Sequence, residues 1–192
     1  SMSHPVVRAA TLVALEQAKA AKALISFDPN IREPLWDSMD EAREQVLKGL
    51  EYCDILKISD NEIQWLTGID DYADGVKWIL SRYPARLVTV SLGKNGSMAF
   101  YRKDASASDH VMASADPFLQ EDTIETTGAG DTFNGCILHD ICQKGLDDLT
   151  ADDLEKMLIF ANAAASIITT RRGALYVMPE KDEIEELIRT RR

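Results

Sequence analysis

The sequence predicts an α/β fold built on an open, mainly parallel sheet flanked by helices. Helical and strand-like segments alternate from end to end. The strand-like runs are short and continuously apolar, as strands buried on both faces are. No internal repeat, low-complexity tract or long linker interrupts the alternation. With 192 residues, 45% hydrophobic and 28% charged, the expectation is one α/β domain over residues 1–192.

Residues 5–22 are rich in Ala and Leu, with apolar spacing at Val6, Ala10, Val13 and Leu15, and predict a helix leading into a buried strand over 23–28. A helix over 40–50, with Val46, Leu47 and Leu50 on one face, and an apolar strand over 54–58 repeat the unit. Asp60 to Leu66 can open a short helix with Ser59 or Asp60 as N-cap and Gly68 as its stop. A further helix over 72–83 ends at Pro84, before the β-branched run Arg86-Leu87-Val88-Thr89-Val90-Ser91. Asn95-Gly96 then signals a tight turn into a strand over 97–101. A strand near 110–113 follows. Helices are expected over 130–144, stopped by Gly145, and over 152–169, with a broad apolar face for the sheet. Pro179 opens a closing amphipathic helix, acidic at its start and basic at its end.

Twenty-one Lys and Arg against 32 Asp and Glu leave a net charge of −11, which repels a polyphosphate backbone, so no nucleic-acid partner is expected. No run of eighteen apolar residues or signal-peptide pattern appears, so no membrane partner is expected either. Three cysteines outside any CxxC suit a reduced cytoplasmic chain; Cys136 and Cys142 read as small core or boundary residues. A phosphorylated ligand must then be held by local devices such as backbone amides, a helix N-terminus or a metal ion.

The densest such device is Glu125-Thr126-Thr127-Gly128-Ala129-Gly130-Asp131-Thr132-Phe133. Small residues running into a helix let successive N–H groups approach an anion, and Asp131 in the first turn would set a carboxylate beside that cradle. The carboxylate could accept a proton from an attacking hydroxyl. Spacing alone equally supports a tight turn, with Asp131 as a residue satisfying the helix dipole. Walker, dinucleotide, nucleophile-elbow and HExxH patterns are absent.

Thr126 to Phe133 closely resembles the second signature of the ribokinase-like (PfkB) carbohydrate kinases, and four further segments fall in that family's order. Asp28-Pro29-Asn30-Ile31-Arg32 resembles its DxNxR element, and Glu33-Pro34-Leu35-Trp36 is typical of the fructokinases within it. Lys57-Ile58-Ser59-Asp60-Asn61-Glu62 resembles the stretch holding the NxxE element, and Ser91-Leu92-Gly93-Lys94-Asn95-Gly96 the (S/T)LGxxG turn. Asn162-Ala163-Ala164-Ala165 resembles the segment bordering adenine.

The resemblance implies transfer of the γ-phosphoryl group of ATP to a primary hydroxyl of a sugar, with fructose the expected acceptor. Asp131 would be the catalytic base, and Gly128, Ala129 and Gly130 the anion hole. Lys57, Ser59, Ser91, Gly93, Gly96 and Asn162 would meet the nucleotide, and Asp28, Asn30 and Arg32 the substrate or its phosphate. Glu62 would organise the water shell of Mg²⁺. Glu125 and Thr127 would edge a K⁺ site completed by a loop at 169–174, although Glu125 replaces the family's usual Asp. The same resemblance makes the chain a C-terminal fragment that lacks a sugar-binding portion and lid, with an exposed sheet edge and little activity alone. Ser1-Met2 would then be a cloning remnant or the product of a cut, and the full-length protein a homodimer. The alternatives are a kinase of another sugar, a sugar acid or a nucleoside, or a nucleotide-binding module without catalysis of its own.

Overall fold

The computed structural model describes residues 2–191; Ser1, on which the remnant reading partly rests, lies outside them. Seven α-helices and five strands occur among the described residues: α1 (Pro5–Ala20), β1 (Ser26–Phe27), α2 (Met39–Leu50), β2 (Ile55–Ser59), α3 (Asp60–Thr67), α4 (Tyr72–Leu80), β3 (Leu87–Ser91), β4 (Ser97–Tyr101), β5 (Val111–Ala115), α5 (Ala129–Lys144), α6 (Ala151–Thr169) and α7 (Lys181–Thr190). The sheet is mixed and mostly parallel, in the order β1-β2-β3-β4-β5, with β1 parallel to β2 and β4 antiparallel to β5. This is the open, helix-flanked α/β sheet that the alternating pattern predicts. Contacts group the chain into two compact units, one running to Val90 and including Asp104–His110, the other comprising Ser91–Lys103 and Val111 onward.

In the first unit, Val46, Leu50, Ile55, Leu56, Ile58, Ile63, Leu66 and Ile79 form a fully or almost fully buried core. Gly49 of α2 lets the helix lie on Phe27, because a Cβ there would come within 2.8 Å of the ring. Two expectations fail here. The strand predicted over 23–28 shrinks to Ser26–Phe27, since the Ile25 N–H donates to the Asp54 side chain (2.8 Å) and its C=O accepts from Asp54 and Ile55, which ends the regular ladder. The predicted first helix is present as α1, in which no residue is fully buried and Val6 and Val13 are 73% and 53% exposed. The chain turns at Ser81–Arg82, where the Arg82 guanidinium stacks over Trp78, and α4 stops at Leu80, earlier than predicted.

In the second unit, α6 packs on α5, β4 and β5, burying Leu154, Met157, Leu158, Ala161 and Ile168. Thr150 caps α6 through a box closed by Asp153, whose carboxyl the Thr150 hydroxyl and amide and Lys144 pull down to about 2. Burial instead pushes the Cys53 thiol up to about 12 and Cys136 up to about 11, while Cys142 is exposed, outside the boundary position read for it.

Candidate functional site

The β3–β4 connection is the turn that Asn95-Gly96 signals. The Leu92 N–H donates to Gly96 O, and Gly96 adopts φ +86°. A Cβ at Gly96 would sit 2.1 Å from the carbonyl oxygen of Ala115, so only glycine lets this turn lie against the end of β5. On α5, Gly128 is the N-cap at φ +80°, and a Cβ there would press on Ile168 (3.3 Å) and Ala174 (3.4 Å). The Ala129 N–H is taken by Thr126 O, and the first helical bond runs from Thr132 to Gly128 O. That leaves the Gly130 and Asp131 N–H groups without a helical acceptor. Asp131 itself is exposed in this first turn.

The turn and the helix start open onto one cleft of about 570 Å³, within the range of small-molecule sites. Six residues singled out from the sequence line it: Ser91, Gly93, Gly96, Ala129, Gly130 and Asn162. Asn162 also ties α6 to β5, its amide donating to Ala115 O (3.2 Å) and Asp116 O (3.0 Å). Sequence reasoning missed Pro117 to Gln120, Thr123 and Ser166 in the lining, and it assigned nothing to Lys94. Phe118 packs on Ala163, Ala164, Ile167 and Ile184, while Gln120 donates to the Ser166 hydroxyl (3.3 Å) and accepts from Arg191 (3.0 Å). No motif or period marks this irregular segment; its role arises from tertiary packing.

Glu125 does not line the cleft. Its carboxylate accepts from the Gly173 N–H (2.8 Å), and its own N–H donates to Thr169 O, so the longer acid latches the 169–174 loop directly. Thr127 is exposed beside it.

The other singled-out residues form a separate group in the first unit. Asp28 Oδ2 pairs with Lys57 Nζ at 3.1 Å, with side chains only 15% and 7% exposed. Glu62 Oε1 accepts from the Ile31 N–H (2.8 Å), and Oε2 accepts from the Ser59 N–H (2.9 Å) and hydroxyl (2.8 Å). Ser59 is thus the N-cap of α3 in a full capping box. Asn30, at φ +44°, and Arg32 are exposed. No cluster of three or more His, Cys, Asp or Glu able to hold a metal ion occurs among the described residues.

Comparison with known proteins settles the family, because the model of the "pfkB family carbohydrate kinase" matches residues 2–181. The chain belongs to the pfkB family of carbohydrate kinases. Fructokinase-1 of Zea mays is 39% identical over 181 residues, covering 94% of this chain and 54% of the relative. Probable fructokinase-2 of Arabidopsis thaliana is 40% identical over 176 residues, covering 90% and 50%. Among solved structures, the fructokinase from Vibrio cholerae O395 in its fructose-, ADP- and calcium-bound form matches with a TM-score of 0.82 at 26% identity, over 97% of this chain and 57% of that one. The fructokinase from Xylella fastidiosa with bound ATP matches with a TM-score of 0.78 at 26% identity, over 94% and 56%. This pfkB chain therefore spans about half the length of the curated relatives it matches.

Proposed function

We propose that the protein carrying this chain is an ATP-dependent sugar kinase that phosphorylates a primary hydroxyl of fructose. The observation that carries the reading is the single cleft lined by the Ser91–Gly96 turn and by Ala129 and Gly130 at the α5 start, with the exposed Asp131 carboxylate in the same first helical turn, next to that lining. Three features fit a nucleotide. The wall through Phe118 suits a base, the lining Lys94 supplies positive charge, and the Gly130 N–H, with no helical acceptor, suits a phosphoryl oxygen. In the reaction Asp131 takes the proton of the sugar hydroxyl as its oxygen forms a bond to the γ-phosphorus. The bond from that phosphorus to the β–γ bridging oxygen breaks, and ADP leaves with the electron pair. The names of the relatives favour fructose as the acceptor.

Among the described residues no group of three or more His, Cys, Asp or Glu is placed to hold a metal, and Glu62, which already accepts from three protein donors, would act on magnesium through its water shell. Magnesium would enter on the phosphates of ATP, and its chemistry is to neutralise their charge. Glu125 and Thr127 remain our candidate contacts for a monovalent cation. Because the Gly173 bond already holds the Glu125 carboxylate, turnover should depend only weakly on K⁺. Cytoplasmic residence and a homodimeric full-length form belong to the same reading. A second reading, a nucleotide-binding module without its own catalysis, is favoured for the isolated chain by its half-length coverage of relatives.

The test is transfer of labelled γ-phosphate from ATP to fructose, other sugars, sugar acids and nucleosides by the complete gene product and by this chain. Fructose 10-fold ahead of the others supports the reading. Transfer to none of them by the complete product overturns it.

A further inference from the structure

We infer that Gln120 is the residue that selects the base of the nucleotide in the cleft, with Arg191 as its positioning residue; the inference rests on the nucleotide reading of that cleft. Five uncharged polar side chains of the lining come from the segment after β5 and from α6: Gln120, Thr123, Asn162, Ser166 and Thr169. Four of them have spent their protons. The Asn162 amide donates to Ala115 O (3.2 Å) and Asp116 O (3.0 Å). The hydroxyls of Ser166, Thr169 and Thr123 donate to Ala163 O (2.8 Å), Ser166 O (2.7 Å) and Gln120 O (3.1 Å). Gln120 differs: one Nε2 proton goes to the Ser166 oxygen at 3.3 Å, and the other has no acceptor among the described residues.

The orientation of this amide is fixed by chemistry at both ends. Arg191 can only donate, so the atom it meets at 3.0 Å must be the Gln120 oxygen. The Ser166 proton is committed to Ala163 O, so the atom that meets the Ser166 oxygen must be the Gln120 nitrogen. A flipped amide would set donor against donor at one end and acceptor against acceptor at the other. Arg191 also donates to Leu119 O, which ties the backbone of the same segment to the end of α7. What the amide keeps for a ligand is one N–H donor and, beside it, the second lone pair of its oxygen. The complementary base edge has a ring nitrogen that accepts next to an amino group that donates. Adenine carries that pair, and glutamine meets it with two bonds, whereas the corresponding edge of guanine offers two acceptors. A ligand that leaves such a polar group unanswered is rejected more strongly than one that merely fits an apolar wall less well.

The experiment is calorimetric titration of the complete gene product, without sugar, with Mg·ATP and with the magnesium complex of purine riboside triphosphate, which lacks only the 6-amino group. We expect ATP to bind about 10-fold tighter than this analogue. Gln120→Met, close in length but without the amide, should weaken ATP about 20-fold and the analogue, which loses only the ring-nitrogen bond, about 2-fold, so that the preference disappears. Arg191→Ala should narrow the preference to about 3-fold by letting the amide turn, with the unfolding midpoint held. Equal affinity of the wild type for the two triphosphates would overturn base selection. Equal weakening of both by Gln120→Met would overturn it too, as the mark of a packing role. A preference unchanged in Arg191→Ala would remove Arg191 as the positioning residue. Each of these three results leaves the nucleotide cleft standing, whereas a folded wild type that binds neither triphosphate would remove the cleft and the inference together.

Discussion

In the first unit the polar groups at the strand ends answer one another: Asp28 meets Lys57, and Glu62 meets Ser59 and Ile31. In the second, the amides of Gly130 and Asp131 find no helical acceptor, and the Lys94 and Asp131 side chains are exposed. Both groups come from segments that resemble family motifs, yet in the first Glu62 and Lys57 are already engaged while Asn30 and Arg32 stay exposed, and in the second the donors are open. Closed polar networks hold geometry, whereas open donors beside an apolar wall wait for a ligand. A motif residue is thus assigned its task by whether its hydrogen bonds are already made.

If the open group is the reactive one, the largest effect belongs to Asp131. Asp131→Asn should lower kcat of the complete product about 10³-fold while the Kd of this chain for Mg·ATP changes less than 3-fold, read by turnover assay and calorimetry. A change below about 10-fold would remove Asp131 as the base. Gly96→Ala comes next. Its Cβ would meet the Ala115 carbonyl at 2.1 Å, so we expect a loss of about 2–4 kcal/mol in denaturant unfolding. Lys94→Ala should weaken Mg·ATP binding about 5-fold at low salt and less at high salt, without changing the unfolding midpoint. Equal loss at every ionic strength would mean that Lys94 acts by packing.

The smallest effect lies away from both groups, in the α6 cap. Thr150→Ala should cost about 1 kcal/mol of stability and leave nucleotide binding alone. The Asp153 carboxyl, depressed to about 2 in the folded chain from an ordinary 3.8, contributes stability that is complete above about pH 4 and is lost as pH falls toward 2. Asp153→Asn should flatten acid unfolding in that window, as followed by circular dichroism.

Most of the fold was legible because its signals are local. The apolar runs at 55–58 and 87–90, the Gly68 and Gly145 stops, and the Asn95-Gly96 turn all act within a few residues. The extent of β1 was not legible, since it depends on how Asp54 takes up the backbone of Ile25 across 29 positions. The site divides in the same way. The Gly128 to Asp131 helix start is written in consecutive residues, whereas the wall through Phe118 and Gln120 carries no period or motif and exists only by packing on α6 and α7. The bond from Ile31 to Glu62 is equally invisible in sequence, because a glutamate three residues past a serine signals a cap and nothing about a distant loop.

The most direct test of the open cleft as a nucleotide site is isothermal titration of this chain with Mg·ATP, on a sample whose far-ultraviolet circular dichroism shows the expected helix content. We predict saturable binding at one site per chain, displaced by ADP and weakened by Lys94→Ala. A folded sample that takes up no Mg·ATP would contradict the assignment of the cleft.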